Sequence, residues 1–274
     1  DMHAFNRSNE MFLKLKLALP FMSNRKTEFG LTVGRLEDKY FQSRIIDFDE
    51  DRFDKSKYIL FGGNISFMGN TFTTKQFPID GYQEALIAQV YTGKEKYRPH
   101  NKTKDENARS NYSWLQLSYM REKYHDMGKH FILGWMVEGL YSSKNFSKNY
   151  TATMMQAGSF TPTPHSKIMY NEHFRANQYL AGGIKPIIPL NRLFHLRGEV
   201  YGFLPIFPIR QSADHKAYYG DAFADIEYMG ELSLVCHLPF AAISAYINHY
   251  SSPKNEWNIG LTIGWQLFNN KFVE

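Results

Sequence analysis

At 274 residues with 43% hydrophobic residues, the chain can bury a large core or build one large sheet. A net charge of +5 and pI near 9.0 would suit a nucleic-acid partner, but Lys and Arg are scattered among acids along the sequence, which argues against one. No apolar run approaches the ~18 residues of a membrane helix, and a single Cys236 excludes an internal disulfide and a Cys-rich zinc site.

Aromatic residues make up 16% of the chain while mean hydropathy is only −0.45. That combination fits an outer-membrane barrel, in which polar and apolar residues alternate along each strand. A large soluble β-protein is the rival reading on composition alone.

Met11, Leu13, Leu15, Leu17 and Leu19 alternate with Phe12, Lys14, Lys16 and Ala18, giving a first strand with one apolar face. Phe29, Leu31 and Val33 mark the next, and Ile59, Phe61, Ile65 and Phe67 another. Residues 82–91 alternate poorly, so their facing is unassigned. Phe131, Leu133, Trp135, Val137 and Tyr141 alternate with His130, Gly134, Met136 and Glu138. Further strands follow around 174–187, 194–205, 227–239 and 242–250. The closing stretch, NEWNIGLTIGWQLF, puts Trp257, Ile259, Leu261, Ile263, Trp265 and Leu267 on one face. A Trp near each end of that face matches the aromatic girdles of a membrane strand, so Trp257, Trp265 and Trp135 are expected at membrane interfaces.

Connections alternate in length. Short turns fall near 20–27, 122–129, 189–193 and 239–241, three of them beside Pro20, Pro189 and Pro239. Long loops fall near 38–57, 93–110, 143–173 and 207–226; the 69–80 turn and the 251–256 loop depart from the rule. Short turns on one side and long loops on the other predict an all-β, transmembrane antiparallel β-barrel of about eleven strands. The expected setting is the bacterial outer membrane, with the C-terminus periplasmic, the long loops extracellular and membrane lipid as the surrounding partner. An odd count starting in an outside loop suggests that strands precede residue 1.

Two stretches resemble a known superfamily. NTFTTKQFPIDGYQEALIAQVY, with Asn70, Pro78 and Gly81, is similar to a turn-into-strand motif of the outer-membrane assembly and translocation barrels, the bacterial surface antigen family. FRANQYLAGG, from Phe174 to Gly183, resembles the end of that family's long loop, with Arg175 kept but Ala176 and Asn177 where Gly and an aromatic are expected. More narrowly, the chain from residue 34 to its end resembles the C-terminal barrel of bacterial patatin-like phospholipases, most densely in FRANQYLAGGIKPII, FHLRGEVYGFLPI and YMGELSLVCHLPFAAISAYINHYSSP. The resemblance implies that residues 1–274 are the C-terminal part of a 16-stranded barrel, preceded by missing strands, a linking domain and a patatin-like domain.

Patatin chemistry needs a Gly-x-Ser-x-Gly elbow, an Asp and an oxyanion loop. Ser66 in GGNISF has the wrong spacing, and Asp80-Gly81 reads as a turn, so no catalytic residue is named. Arg175 is the sharpest single residue, because the resemblance implies that the loop arginine folds into the lumen and meets an acid on the inner wall. On FHLRGEVYGF, His195, Arg197, Glu199 and Tyr201 share the inner face, which predicts an Arg175–Glu199 ion pair. Glu138 and Glu231 also face inward by parity. They could line a charged channel or belong to an interior filled with Arg–Glu–Tyr hydrogen bonds; Tyr201 and Tyr246 on the same face favour the second. His165 and His173 lack the companions of a metal site, so neither metal nor cofactor is expected. The sequons at Asn101, Asn111, Asn145 and Asn149 carry no weight in a bacterial barrel.

The expected function is anchoring or delivering a patatin-like phospholipase domain outside this chain. The alternatives are an assembly or translocation factor, and a pore or accessory subunit bound to other outer-membrane proteins.

Overall fold

The computed structural model describes residues 6–41, 53–74, 76–99, 108–238, 241–251 and 257–264. Their architecture is all-β, dominated by one antiparallel sheet of eleven strands. In chain order the strands are β1 Asn6–Met22, β2 Arg25–Tyr40, β3 Asp54–Asn70, β4 Tyr82–Arg98, β5 Ala108–Asp126 and β6 Ile132–Ser142. The helix α1, Tyr150–Gln156, and two two-residue strands, β7 Gly158–Ser159 and β8 Arg175–Ala176, follow. The rest are β9 Gln178–Pro189, β10 Phe194–Pro205, β11 Ile209–Gln211, β12 Ala217–Tyr219, β13 Glu227–His237, β14 Ala242–Tyr250 and β15 Trp257–Gly264. The large sheet runs β1-β2-β3-β4-β5-β6-β9-β10-β13-β14-β15, while β7–β8 and β11–β12 form separate two-stranded pairs. Among the described residues β1 and β15 are each paired on one side only.

Alternation fixes which face each residue takes, because successive side chains point to opposite sides of a strand. The outer face is apolar and bare: Leu13, Leu15 and Leu17 on β1, Phe29 and Leu31 on β2, Ile59 and Phe61 on β3 and Val90 on β4 are exposed. The same holds for Ile184 on β9, Val200 on β10, Leu232 on β13 and Ile259 on β15, the last 81% exposed. The inner face carries the buried set, including Glu95, Lys185, His195, Arg197, Tyr201 and Glu231. The sheet is therefore inside-out relative to a soluble domain, in which the apolar face would be the buried one.

Some strands are longer than composition suggests. The polar stretches 38–57 and 93–110 were expected to be loops, yet β2 runs to Tyr40, β3 starts at Asp54, β4 runs to Arg98 and β5 starts at Ala108. Their inner-face polar groups hold one another: Tyr97 donates to Asp54 at 2.7 Å, Tyr58 donates to Glu95 at 3.1 Å, and Tyr112 also donates to Glu95. Charge alone does not end a strand when the ladder and cross-strand pairs continue. The stretch 82–91, unassigned by pattern, lies in β4 with Leu86 and Val90 outward and Gln89 and Tyr91 inward.

Tyrosine rings lie over cross-strand glycines on the inner face. The partners are Gly62 with Tyr91, Gly134 with Tyr124, Gly183 with Tyr201, and Gly260 with Tyr246. A Cβ added to Gly183 would lie 2.2 Å from the Tyr201 ring and 2.4 Å from the Val200 carbonyl oxygen. The glycine makes room for the aromatic, and the ring covers the backbone that the missing side chain leaves bare.

Candidate functional site: an interior filled by two loops

The 143–177 segment leaves β6, crosses the inner face and returns into β9. Its helix α1 has only seven residues, too few to be stable alone. Asn149 holds its start: the Oδ1 atom accepts from the Ala152 N–H at 2.8 Å and the Nδ2 donates to the Tyr40 hydroxyl at 2.8 Å. Gln156 donates to Asp38 on β2 at 2.8 Å, and the hydroxyls of Ser147 and Tyr58 on β3 share a 3.0 Å bond. At the other end of α1, Arg175 donates to the carbonyls of Met154, Met155 and Ala157 at 3.2, 3.2 and 3.1 Å. A guanidinium there meets the unsatisfied carbonyls and the negative end of the helix. Burial pushes Arg175 below its ordinary range, and the Tyr170 ring beneath it at 4.7 Å opposes that shift.

Lys144, at the beginning of the segment, is buried over the rings of Trp114 and Tyr58, at 4.8 and 5.8 Å, and donates to Gln156 at 3.2 Å. Burial pushes its ammonium down to about 8, against the attraction of Asp38 and Glu95. The second half of the segment docks on the far side of the sheet. Phe160, Phe174 and Ala176 join Tyr179, Tyr201, Phe203, Met229 and Tyr250 in one buried cluster. His165 lies with Nδ1 2.7 Å from the Glu231 carboxylate and Nε2 3.1 Å from the Ser244 hydroxyl, its ring stacked on Tyr246 at 3.6 Å. Thr163 donates to the other Glu231 oxygen at 3.2 Å. A carboxylate only accepts, so the proton sits on Nδ1. One segment thus touches β2 and β3 near one edge of the sheet and β13 and β14 near the other, which requires the sheet to curl around it.

A second loop enters from the opposite end. Residues 71–81 join β3 to β4, with Gly81 at φ +77°, a left-handed conformation that favours glycine. Asn70 accepts from the Phe72 N–H at 2.8 Å, and Asp80 accepts from the Thr73 hydroxyl at 2.7 Å. The loop is thereby folded inward. The carbonyl of Pro78 accepts from Arg197 at 2.8 Å, and Phe77 packs against Val235 and Ala242. Phe77 and His165 meet with ring centroids 6.0 Å apart, so the two loops touch inside the sheet.

Arg197, His195, Tyr201 and Glu231 are buried on the inner face, and Glu138 accepts from Tyr179 there at 2.5 Å. The expected Arg175–Glu199 pair is not formed. Glu199 is taken by Arg197, two residues along the same strand, while Arg175 is held by the carbonyls at the end of α1. Arg197 also donates to Tyr124 at 2.6 Å, and Lys185 pairs with Glu122 at 2.5 Å, completing a buried charged group that includes Glu199. Parity put Glu199 on the correct side but could not say which cation reaches it first. Trp257 and Trp135 lie on the outer face at opposite ends of the sheet; Trp265 lies outside the described residues. Among the described residues no group of three or more His, Cys, Asp or Glu could hold a metal ion. Pattern reading missed Lys144 and Lys185 and gave His165 no role, because their burial depends on which loop covers which strand.

No protein-family model matches the chain, and no curated protein matches it. Among solved structures it is similar to the translocator domain of the autotransporter NalP from Neisseria meningitidis, with 12% identity over 95% of this chain and 80% of that chain. The TM-score is 0.34, a likeness too loose to carry a structural or functional argument.

Proposed function

We propose that the chain forms part of the membrane-spanning wall of an outer-membrane β-barrel with a filled interior, and that it anchors or delivers a patatin-like phospholipase domain lying outside this chain. One observation carries the membrane part: across the middle of the outer face the large side chains are apolar and exposed on strand after strand, from Leu13 on β1 to Ile263 on β15. A soluble monomer rarely leaves a contiguous apolar patch of more than a few hundred Å² in water. A bilayer covers such a face, and the closed ladder of a barrel satisfies the backbone within it. Trp257 and Trp135, at opposite ends of this face, suit the two interfaces. In this reading the long loops are extracellular and the short turns periplasmic.

The phospholipase part rests on the sequence resemblance in residues 174–188, 194–206 and 228–253, and any hydrolysis belongs to residues elsewhere. The filled inner face speaks against a diffusion pore. An assembly or translocation factor remains the alternative, and Ala176 and Asn177 depart from its loop tip; here Asn177 instead donates to the Lys144 carbonyl and the Tyr219 hydroxyl, at 3.3 and 3.0 Å. Flotation with phosphatidylcholine vesicles tests the barrel, and failure to float or resist alkaline extraction overturns it. The intact mass of the membrane-extracted polypeptide tests the passenger: a mass well above 32.0 kDa is expected, and one near 32.0 kDa removes the phospholipase reading.

A further inference from the structure

Cations scattered along the sequence are gathered by strand register on the outer face of β1–β5. Arg7 opposes Lys39, Lys39 opposes Lys55, and Lys55 opposes Arg98, a row of four at the long-loop end. In the next row toward the centre, Glu37, Lys57, Lys96 and Arg109 stand side by side. Arg35 and Lys94 flank Ile59 in the row after that. Glu37 is the carboxylate in this array, and it is already engaged by Arg35 at 2.7 Å, Lys55 at 2.9 Å and Lys57 at 3.5 Å. Among the described residues no carboxylate pairs with Lys94, Lys96, Arg98 or Arg109, all exposed. Like charges on adjacent strands, about 4.8 Å apart, repel unless an anion lies over them.

The array is local. At the other end of these strands Arg25 and Arg121 share Glu84 at 3.8 Å each, so both cations there have a carboxylate beside them. At the long-loop end of β13–β15 the outer face carries Tyr228, His249 and Trp257 in ring contact and, among the described residues, no lysine or arginine. In the row below Arg35, Ile59 and Lys94 come the apolar Leu13, Val33 and Phe61, followed on β4 and β5 by the hydrogen-bonded hydroxyls of Thr92 and Ser113. Their ligand must therefore present several negative charges at the edge of an apolar phase.

We propose that this face of β2–β5 binds the phosphate groups of a multiply phosphorylated lipid in the leaflet at the long-loop end. The proposal rests on the membrane-barrel reading. A nucleic acid would supply the phosphates but not the acyl chains that cover Val33, Phe61 and Val90. A lipid with two headgroup phosphates supplies both, and it spans neighbouring strands as the cations do.

The test uses the full chain in phosphatidylcholine nanodiscs doped with lipid A, a diphosphorylated glycolipid, or with phosphatidylglycerol. Native mass spectrometry counts the retained lipids. Preferential retention of lipid A, weakened by salt, is expected. The combined variant Lys57→Gln, Lys94→Gln, Lys96→Gln, Arg109→Gln loses roughly tenfold or more of that preference, since each cation near an anionic surface contributes severalfold. The pair Arg25→Gln, Arg121→Gln at the opposite end retains it. Insertion with no lipid A preference, or an unchanged preference in the combined variant, overturns the proposal and leaves the barrel standing. Failure to insert into either nanodisc overturns the barrel, and the lipid site with it.

Discussion

His165 and Glu231 form a buried latch, with Nδ1 2.7 Å from the carboxylate and the two residues 66 positions apart in sequence. One belongs to a crossing loop and the other to the wall, so the pair ties the loop's second half to β13. Breaking a buried pair leaves an uncompensated polar group and costs about 3 kcal/mol. Glu231→Ala and His165→Ala should each lower the urea midpoint and speed amide exchange over 161–169. In a double-mutant cycle they should be non-additive by about 1–3 kcal/mol. Additive losses would mean the latch contributes nothing of its own.

Arg175 holds a short helix by its last carbonyls. Arg175→Ala should cost about 2 kcal/mol and raise exchange over 150–157 first, with the wall strands unaffected. Arg175→Lys should recover only part, since an ammonium is a point charge without the fork of a guanidinium. Equal protection of α1 in all three proteins would sink the assignment.

Lys144 has a folded value of about 8 against an ordinary 10.5, because burial disfavours its charge. The sign follows from proton linkage. Between pH 8 and 10.5 the unfolded chain holds the proton that the folded chain has released, so this residue's contribution to stability rises with pH across that window. Below pH 8 the burial cost is constant, on the order of 3 kcal/mol. A carbon-13-methylated sample should show one lysine resonance with a midpoint near 8, absent in Lys144→Met. A midpoint above 10 for every lysine would contradict the burial.

Gly183→Ala should destabilise by about 1–3 kcal/mol, because its Cβ would collide with the Tyr201 ring and the Val200 carbonyl. Gly202→Ala, in the next strand with open space around the added carbon, should cost less than half as much. Urea midpoints of the two variants, compared with wild type, check the order; reversal would show that the ring yields freely.

Period-two alternation made the sheet legible in the sequence. Leu13 to Leu19, Phe29 to Val33 and Ile259 to Ile263 announce their facing without any structure, as do Glu199 and Glu231 by parity. What pattern could not supply is adjacency across strands. Arg197 rather than Arg175 reaches Glu199 because side chains two apart on one strand share a face and lie close together. The cations Lys57, Lys96 and Arg109 are far apart in sequence, so composition reads them as dispersed, while the register places them side by side. The extended ends of β2 to β5 were obscured for a related reason. Their charges look like loop until Tyr97 is seen on Asp54 and Tyr58 on Glu95.

The 143–177 segment leaves and rejoins the sheet between neighbouring strands, β6 and β9, at one end, and the 71–81 loop does the same between β3 and β4 at the other. Neither is threaded through the wall. Each can withdraw only toward its own end, as a doubled strand of chain pulled back the way it came, with no ladder hydrogen bond parting. The two stoppers therefore unseat in opposite directions: a push that lifts one drives the other home. Were the wall closed into a barrel, a body travelling either way along its axis would meet one loop that yields and one that tightens, with Phe77 and His165 where the two loops meet.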